Sequence, residues 1–265
     1  MQGQDCVSYE REIEVARTAA LRAGELALRY QSQGVRPETK PDLSPVTIAD
    51  RESERLIAGV LSDAFPDDGL LAEEGGSKEP ASGRRWIVDP IDGTRDFLRG
   101  LPNWAVLIAL ESGGGVDLGV CHFPAQNVTY YASRGAGAWR NDSRIRISEV
   151  SELAVALLCL SGLKEMAGLA FAPRLVEWTK QFAAVRNYSS SQDGMYVAAG
   201  QAEVSIQASG KAWDFAAPRI VAEEAGAVFF NFDGSQSIYG GNCVIAVPPL
   251  EAGVRQFLGP APLPL

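Results

Sequence analysis

The sequence predicts an α+β or α/β fold in which helices and sheets stack in layers. Three observations carry this expectation. Two amphipathic stretches near the N-terminal end read as helices. A run of short apolar segments joined by glycine- and proline-containing turns reads as an antiparallel meander, and the second half alternates strand-like with helix-like segments. The 265 residues are 46% hydrophobic and 22% charged, enough for a sizeable core in one large domain or two close halves.

Residues 7–33 place Ile13, Ala16, Ala20, Leu21, Gly24 and Leu28 at helical spacing, and Gly34 and Pro37 end this long helix. Prolines make Lys40–Val46 a loop. Thr47 and Asp50 form a start signal related to the capping box. The second helix that follows carries Leu56, Ile57, Val60, Leu61 and Ala64 inside and closes at Phe65 and Pro66. Short strands over Leu70–Ala72 and Arg85–Val88 each run into acidic residues. Trp104–Glu111, Val116–Phe123 and Val128–Ser133 form the meander, and Arg144–Ile147 adds a strand. The alternating half reads as apolar Leu153–Leu160, helix Pro173–Phe182, strand Ala184–Arg186, helix Asp193–Ala199 and strand Glu203–Gln207. A helix over Asp214–Ala225 and strands Val228–Phe230 and Cys243–Val247 complete it. The pattern changes near Ala136–Val150, which divides the chain into halves 1–145 and 146–265.

Composition narrows the chemistry. A net charge of −9 disfavours nucleic acid and anionic membrane surfaces as partners. There is one histidine, His122, so a Ser-His-Asp or Cys-His enzyme would have to use it, and a His-rich zinc or iron site cannot be assembled. Its strand-like setting reads as structural, which leaves carboxylates to do the work. Cys6, Cys121, Cys159 and Cys243 are scattered with no Cys-x-x-Cys pair, excluding a zinc knuckle and a thioredoxin-like motif and favouring free thiols. The N-terminus is too charged for a secretory signal, and the apolar runs 101–110 and 153–163 are too short to span a bilayer. The expectation is a soluble, cytoplasmic protein.

The sharpest segment is Trp86-Ile-Val-Asp89-Pro-Ile-Asp92-Gly-Thr94. Asp-Pro and Asp-Gly are ordinary turn dipeptides, and a plain tight turn is one reading. The other is a cation site. Two carboxylates three apart in a turn can converge on hard ions such as Mg²⁺, with the Ile91 carbonyl between them as a further oxygen ligand. The amides of Gly93 and Thr94 would open a helix and offer an anion pocket beside it. Glu73-Glu74, before Gly75-Gly76, and Asp214, at a helix start, have similar settings; a solvated loop and a plain N-cap are their bland alternatives. The Asp-x-Asp-Gly-Thr spacing of haloacid-dehalogenase-type phosphatases is absent, as is a Gly-x-x-x-x-Gly-Lys-Ser/Thr loop.

These residues resemble the inositol monophosphatase family of Mg²⁺-dependent phosphatases. The first signature reads Trp86–Thr94 and the second Ala212–Gly226, with Ser44–Asp50 and Ala72–Gly75 in matching order, so the resemblance runs from about Glu12 to Pro248. It implies a layered α/β/α/β/α sandwich, a homodimer, and two or three Mg²⁺ per active site. It also implies that the N-terminal half carries the main metal-binding loops, while the C-terminal half supplies Asp214 and the substrate pocket. Carried over residue by residue, Glu73, Asp89, the Ile91 carbonyl, Asp92 and Asp214 would hold metal. Asp50 and Thr94, with Glu73, would act in catalysis, Asp50 and Thr94 on the attacking water. Gly93 and Thr94 would grip the phosphate of a small phosphate monoester.

The expected substrate is a phosphorylated polyol, with inositol monophosphate the named choice. Asp96-Phe-Leu-Arg-Gly100 looks more like the histidinol-phosphatase branch, which makes histidinol phosphate the rival. Members of that branch usually carry two acids that are absent here, where Arg186-Asn-Tyr-Ser-Ser-Ser191 and Gln207 stand instead. Ser189, Ser190 and Gln207 are the expected substrate-pocket residues, although a helix-capping serine cluster reads equally well. A weakly catalytic protein that binds metal or a phosphometabolite is the further alternative.

Overall fold

The computed structural model describes residues 9–259, with the backbone but not the side chain of Ser190. Five layers are stacked, helices outermost and in the middle, with two sheets between. The first layer is α1 (Glu10–Gln33) and α2 (Ile48–Ala64), linked by a small hairpin of β1 (Glu38–Thr39) and β2 (Pro45–Val46). The second strand of the hairpin falls where the prolines predicted only loop. The start expected near Val7 lies outside the described residues, and helix begins at Glu10. The buried stripe of α1 is Ala16, Ala19, Ala20, Ala23, Gly24 and Ala27, while Leu21 is exposed. Small residues win that face because the helix lies very close to the sheet. A Cβ on Gly24 would stand 2.8 Å from the His122 ring.

Eight strands form the second layer: β3 (Gly69–Ala72), β4 (Ser77–Lys78), β5 (Arg84–Asp92), β6 (Ala105–Ser112), β7 (Gly115–Phe123), β8 (Val128–Ser133), β9 (Gly137–Arg140) and β10 (Ser143–Ile145). Their order is β10-β9-β8-β7-β6-β5-β3-β4, antiparallel except where β3 runs parallel to β5. A one-turn helix, α3 (Thr94–Phe97), follows β5. Residues 105–110 of β6 are an unbroken apolar run because both faces of the strand are covered there. Val106, Ile108 and Leu110 meet α1 and α2, whereas Ala105, Leu107 and Ala109 face the middle layer.

The remaining layers come from β11 (Leu157–Ser161), α4 (Leu163–Met166), α5 (Ala172–Thr179), β12 (Ala184–Arg186), α6 (Ser190–Ala198), β13 (Val204–Gln207), α7 (Ala212–Glu224), β14 (Val228–Phe230), β15 (Cys243–Ala246) and α8 (Glu251–Leu258). The five-stranded sheet runs β12-β11-β13-β15-β14. Helices α6 and α7 fill the middle, with Phe215, Ala216 and Ile220 packed among residues of both sheets. Gly119 lets α7 close on β7, since a Cβ there would stand 2.8 Å from the Ala217 backbone. Helices α4, α5 and α8 cover the far face through Met166, Trp178 and Phe257.

Several boundaries move. Helix α6 begins at Ser190, earlier than the predicted Asp193, and α7 at Ala212, so Asp214 is its third residue and no N-cap. Strands β4 and β9 and helices α4 and α8 went unpredicted, being short or close to prolines and glycines. Cys121, Cys159 and Cys243 are free, buried thiols; Cys6 lies outside the described residues. His122 is structural: its Nδ1 pairs with Thr129 Oγ at 2.9 Å, and burial lowers its pKa to about 4. No helix among the described residues is long and apolar enough to cross a membrane.

Candidate active site

The centre of the site is a β-bulge. The sequence places Asp89 at a strand end with a turn after it; the structure instead continues β5 through Asp92. Side chains three apart in a regular strand point to opposite faces. Here Asp89 pairs with Leu107 and Asp92 with Ala105, so three steps on β5 match two on β6. The extra residue returns Asp92 to the face of Asp89. Pro90 fits inside the irregular stretch, where a ladder bond is already missing. Asp89 Oδ1 accepts the Ile91 N–H at 2.9 Å, which fastens the bulge.

That face looks at the start of α7, which delivers Asp214. One carboxylate oxygen from each of Asp89, Asp92 and Asp214 lies within 4.8 Å of the others. The backbone N–H of Lys211 donates to Asp214 at 2.5 Å and fixes its rotamer. Asp89 and Asp92 are buried; Asp214 is part-exposed as a residue, yet its carboxylate is sunk in the cluster. Burial, and then the negative neighbours, push the Asp89 and Asp214 carboxyls well above the usual carboxylate range.

Glu73 stands beside this trio and raises Asp89 further by charge and by a shared hydrogen bond. It is not free: Lys40 Nζ donates to Glu73 and Glu74 at 2.7 Å each. Burial works against the Lys40 charge, but the two carboxylates outweigh it and hold the ammonium above its ordinary pKa. Burial pushes Glu74 up to about 7 despite the lysine. The hairpin that carries Lys40 is tied to α2 by the Arg51–Glu38 ion pair.

Asp50 has two tasks. Its Oδ2 accepts the N–H of Thr47 at 2.8 Å and the Thr47 hydroxyl at 2.6 Å, completing a capping box for α2. Its Oδ1 faces Thr94 Oγ at 3.3 Å, and the same hydroxyl lies 3.2 Å from the Ile91 carbonyl. Burial raises the Asp50 carboxyl above its ordinary pKa in spite of the Thr47 bonds. Gly93, with φ of 90°, makes the left-handed step between the bulge and Thr94.

The serine segment reaches the same place. The Ser191 N–H donates to Asp92 Oδ2 at 3.3 Å, and a Cβ on Gly93 would stand 3.4 Å from Ser189 Oγ. Ser190 opens α6, and its side chain lies outside the described residues. Asp193 faces inward, accepting from Ser161 Oγ at 2.7 Å and the Tyr188 N–H at 3.0 Å. Gln207 ends β13 with its Nε2 turned to the Ser209 carbonyl at 3.1 Å, a local bond the sequence did not suggest. Lys40 and Glu54 were missed. The signal for Glu54 was its place four residues after Asp50 on a predicted helix; a lysine in a proline-rich loop gave none.

Comparison with known sequences decides the family. The sequence model of the inositol monophosphatase family matches residues 8–256. The chain belongs to the inositol monophosphatase family. Its relatives include a histidinol-phosphatase of Chlorobaculum parvum, 37% identical over 236 residues that span 89% of this chain and 91% of that protein. An inositol-1-monophosphatase of Mesorhizobium japonicum is 37% identical over 235 residues, 86% of this chain and 88% of that one. A Thermotoga maritima IMPase structure superposes with a TM-score of 0.85 at 31% identity, covering 94% of this chain and 96% of the other. The layered architecture is that of the inositol monophosphatase family, whose members are phosphoric monoester hydrolases.

Proposed function

We propose that the chain is a Mg²⁺-dependent phosphomonoesterase acting on a small, neutral phosphorylated polyol, with inositol monophosphate as the substrate. The observation that carries this reading is the convergence of Asp89, Asp92 and Asp214 from two distant segments of chain. The donor set suits the ion: hard carboxylate oxygens crowd together, and neither Asp89 nor Asp214 has a Lys or Arg ion-pair partner among the described residues. Asp89, Asp92, Asp214, Glu73 and the Ile91 carbonyl would hold two or three Mg²⁺. Bound magnesium supplies positive charge to the phosphoryl oxygens and the leaving oxygen and acidifies water.

The protein's own groups do the rest. The Gly93 and Thr94 amides, at the left-handed step, orient the phosphate. Thr94 Oγ receives the proton of the attacking water as its own passes to Asp50 Oδ1, whose raised pKa makes it a better base. Ser189, Ser190 and Gln207 border the alcohol portion of the substrate. The acids that would hold a cationic aminoalcohol are replaced there by Ser and Gln, and Asp193 is turned inward to Ser161 and Tyr188. This favours a neutral polyol over histidinol phosphate. The buried free thiols suit a reducing, cytoplasmic setting.

Purified protein with Mg²⁺ and a panel of phosphate monoesters tests the reading. Phosphate release from inositol monophosphate is expected to exceed that from histidinol phosphate by about tenfold, the worth of one hydrogen bond to a charged group. A reversed preference would move the chain to histidinol phosphate. No release from any ester by Mg²⁺-loaded protein would leave the binding-protein alternative.

Raised carboxyl pKa values also fix a pH dependence. In the metal-free protein the folded state keeps protons that the unfolded chain has lost, so stability falls as pH climbs. The window runs from about 4, the ordinary carboxylate value, through the raised ones, such as about 7 for Glu74. Divalent ions bind the deprotonated form. The melting temperature without metal should therefore drop between pH 5 and pH 8, and Mg²⁺ should raise it more at pH 8 than at pH 6. A metal response independent of pH would contradict the assignment of these carboxylates as ligands.

A further inference from the structure

Glu54 is a buried carboxylate that the reaction above does not use. It lies one helical turn after Asp50, so the two side chains leave the same face of α2. Both of its oxygens are taken by the turn that follows Glu73: Oε2 accepts the Glu74 N–H at 2.6 Å and Oε1 the Gly76 N–H at 2.9 Å. The approach is close, since a Cβ on Gly76 would stand 2.9 Å from Oε1. The turn's other holds are the Ala72 N–H on the Gly76 carbonyl at 2.8 Å and the Glu73 N–H on the Val88 carbonyl at 3.1 Å. Lys40 holds the Glu73 and Glu74 side chains as well, with Nζ 2.7 Å from each.

We infer that Glu54 is a positioning residue for the acid cluster: its grip on the 74–76 backbone sets Glu73 beside Asp89 and so tunes divalent-cation affinity without touching the ion. The inference rests on the proposed role of Glu73 as a ligand. One turn of α2 thus places the Asp50–Thr94 pair, and the next turn places Glu73 relative to it. The task calls for a carboxylate, because both oxygens must accept from N–H donors. Gln has the same shape but only one acceptor, and its NH₂ would face a backbone N–H. Bonds to a charged acceptor are the strong kind, so the loss is felt in the turn's position.

The test titrates metal-free wild type, Glu54→Gln and Glu203→Gln with Mg²⁺ by calorimetry, alongside thermal unfolding and Mg²⁺-dependent phosphate release. Glu203 is the control for structural damage. It is equally buried and also clasps backbone, taking the Leu157 N–H at 2.6 Å and Ser148 Oγ at 2.9 Å. Glu54→Gln is expected to weaken Mg²⁺ binding about 10- to 100-fold, as losses of outer partners of metal ligands do. Its kcat should recover at saturating Mg²⁺, and Glu203→Gln should bind Mg²⁺ as wild type does. Unchanged affinity in Glu54→Gln, or equal weakening in both variants, overturns the inference alone. Wild type that takes up no Mg²⁺ overturns the proposed function and this inference with it. Should Glu54→Gln not fold, Glu54→Asp, one methylene short with both acceptors kept, is read by the same criteria.

Discussion

Replacing Asp92 by Asn is expected to lower phosphate release at least about 10³-fold, some 4 kcal/mol of transition-state stabilisation. The metal-free variant should at the same time unfold at a higher temperature than wild type near pH 8. Both effects come from one charge. Asp92 is one of three carboxylates held within 4.8 Å of one another, and it raises both Asp89 and Asp214. Neutralising it relieves that repulsion while removing a cation ligand. The amide also keeps an oxygen to accept from Ser191 N–H. Steady-state rates and melting curves of the two proteins check the pair of signs. Wild-type-like turnover, or a large fall in melting temperature, would refute the role given to Asp92.

Asp50→Asn is expected to lower kcat about 10²- to 10⁴-fold, the usual worth of a general base. Helix α2 should weaken by only about 1 kcal/mol or less. The asymmetry follows from the two oxygens. An asparagine can keep its oxygen toward the Thr47 N–H and hydroxyl, which saves the capping box. Its NH₂ then faces Thr94 Oγ, where a proton acceptor is needed. Mg²⁺ affinity should stay within a few-fold of wild type, because Asp50 is not among the clustered ligands. Measuring kcat, the Mg²⁺ titration and the melting temperature separates the roles. An unchanged kcat with a lowered melting temperature would leave Asp50 as a cap alone.

Much of this was legible in the sequence, for identifiable reasons. Long periodic segments such as α1 and α2 and the covered strand β6 announce themselves by spacing, and the capping box at Thr47–Asp50 lies where the Thr-x-x-Asp pattern put it. The acids of the first signature were readable as a group because each follows an apolar run. Their mode of convergence was not. A turn and a bulge share the same prolines and glycines, and only pairing with β6 tells them apart. The burial of alanines in place of leucines on α1 depends on how near the sheet comes, which periodicity does not encode. The bond of the Gln207 amide to the Ser209 carbonyl depends on the local turn after β13, which spacing does not encode. Lys40 escaped notice because its partners lie far away in sequence.

The odd residue in β5 makes chain length, and not only chemistry, a fixed quantity between Asp89 and Asp92. Strand β5 is paired along both edges, so it cannot slide to absorb a missing residue. Shortening the stretch by one would turn Asp92 over toward α1 and α2, or else exchange Trp86 and Val88 with Ile87 between two packed interiors. Variation among descendants of this chain is thereby confined here to swaps at constant count.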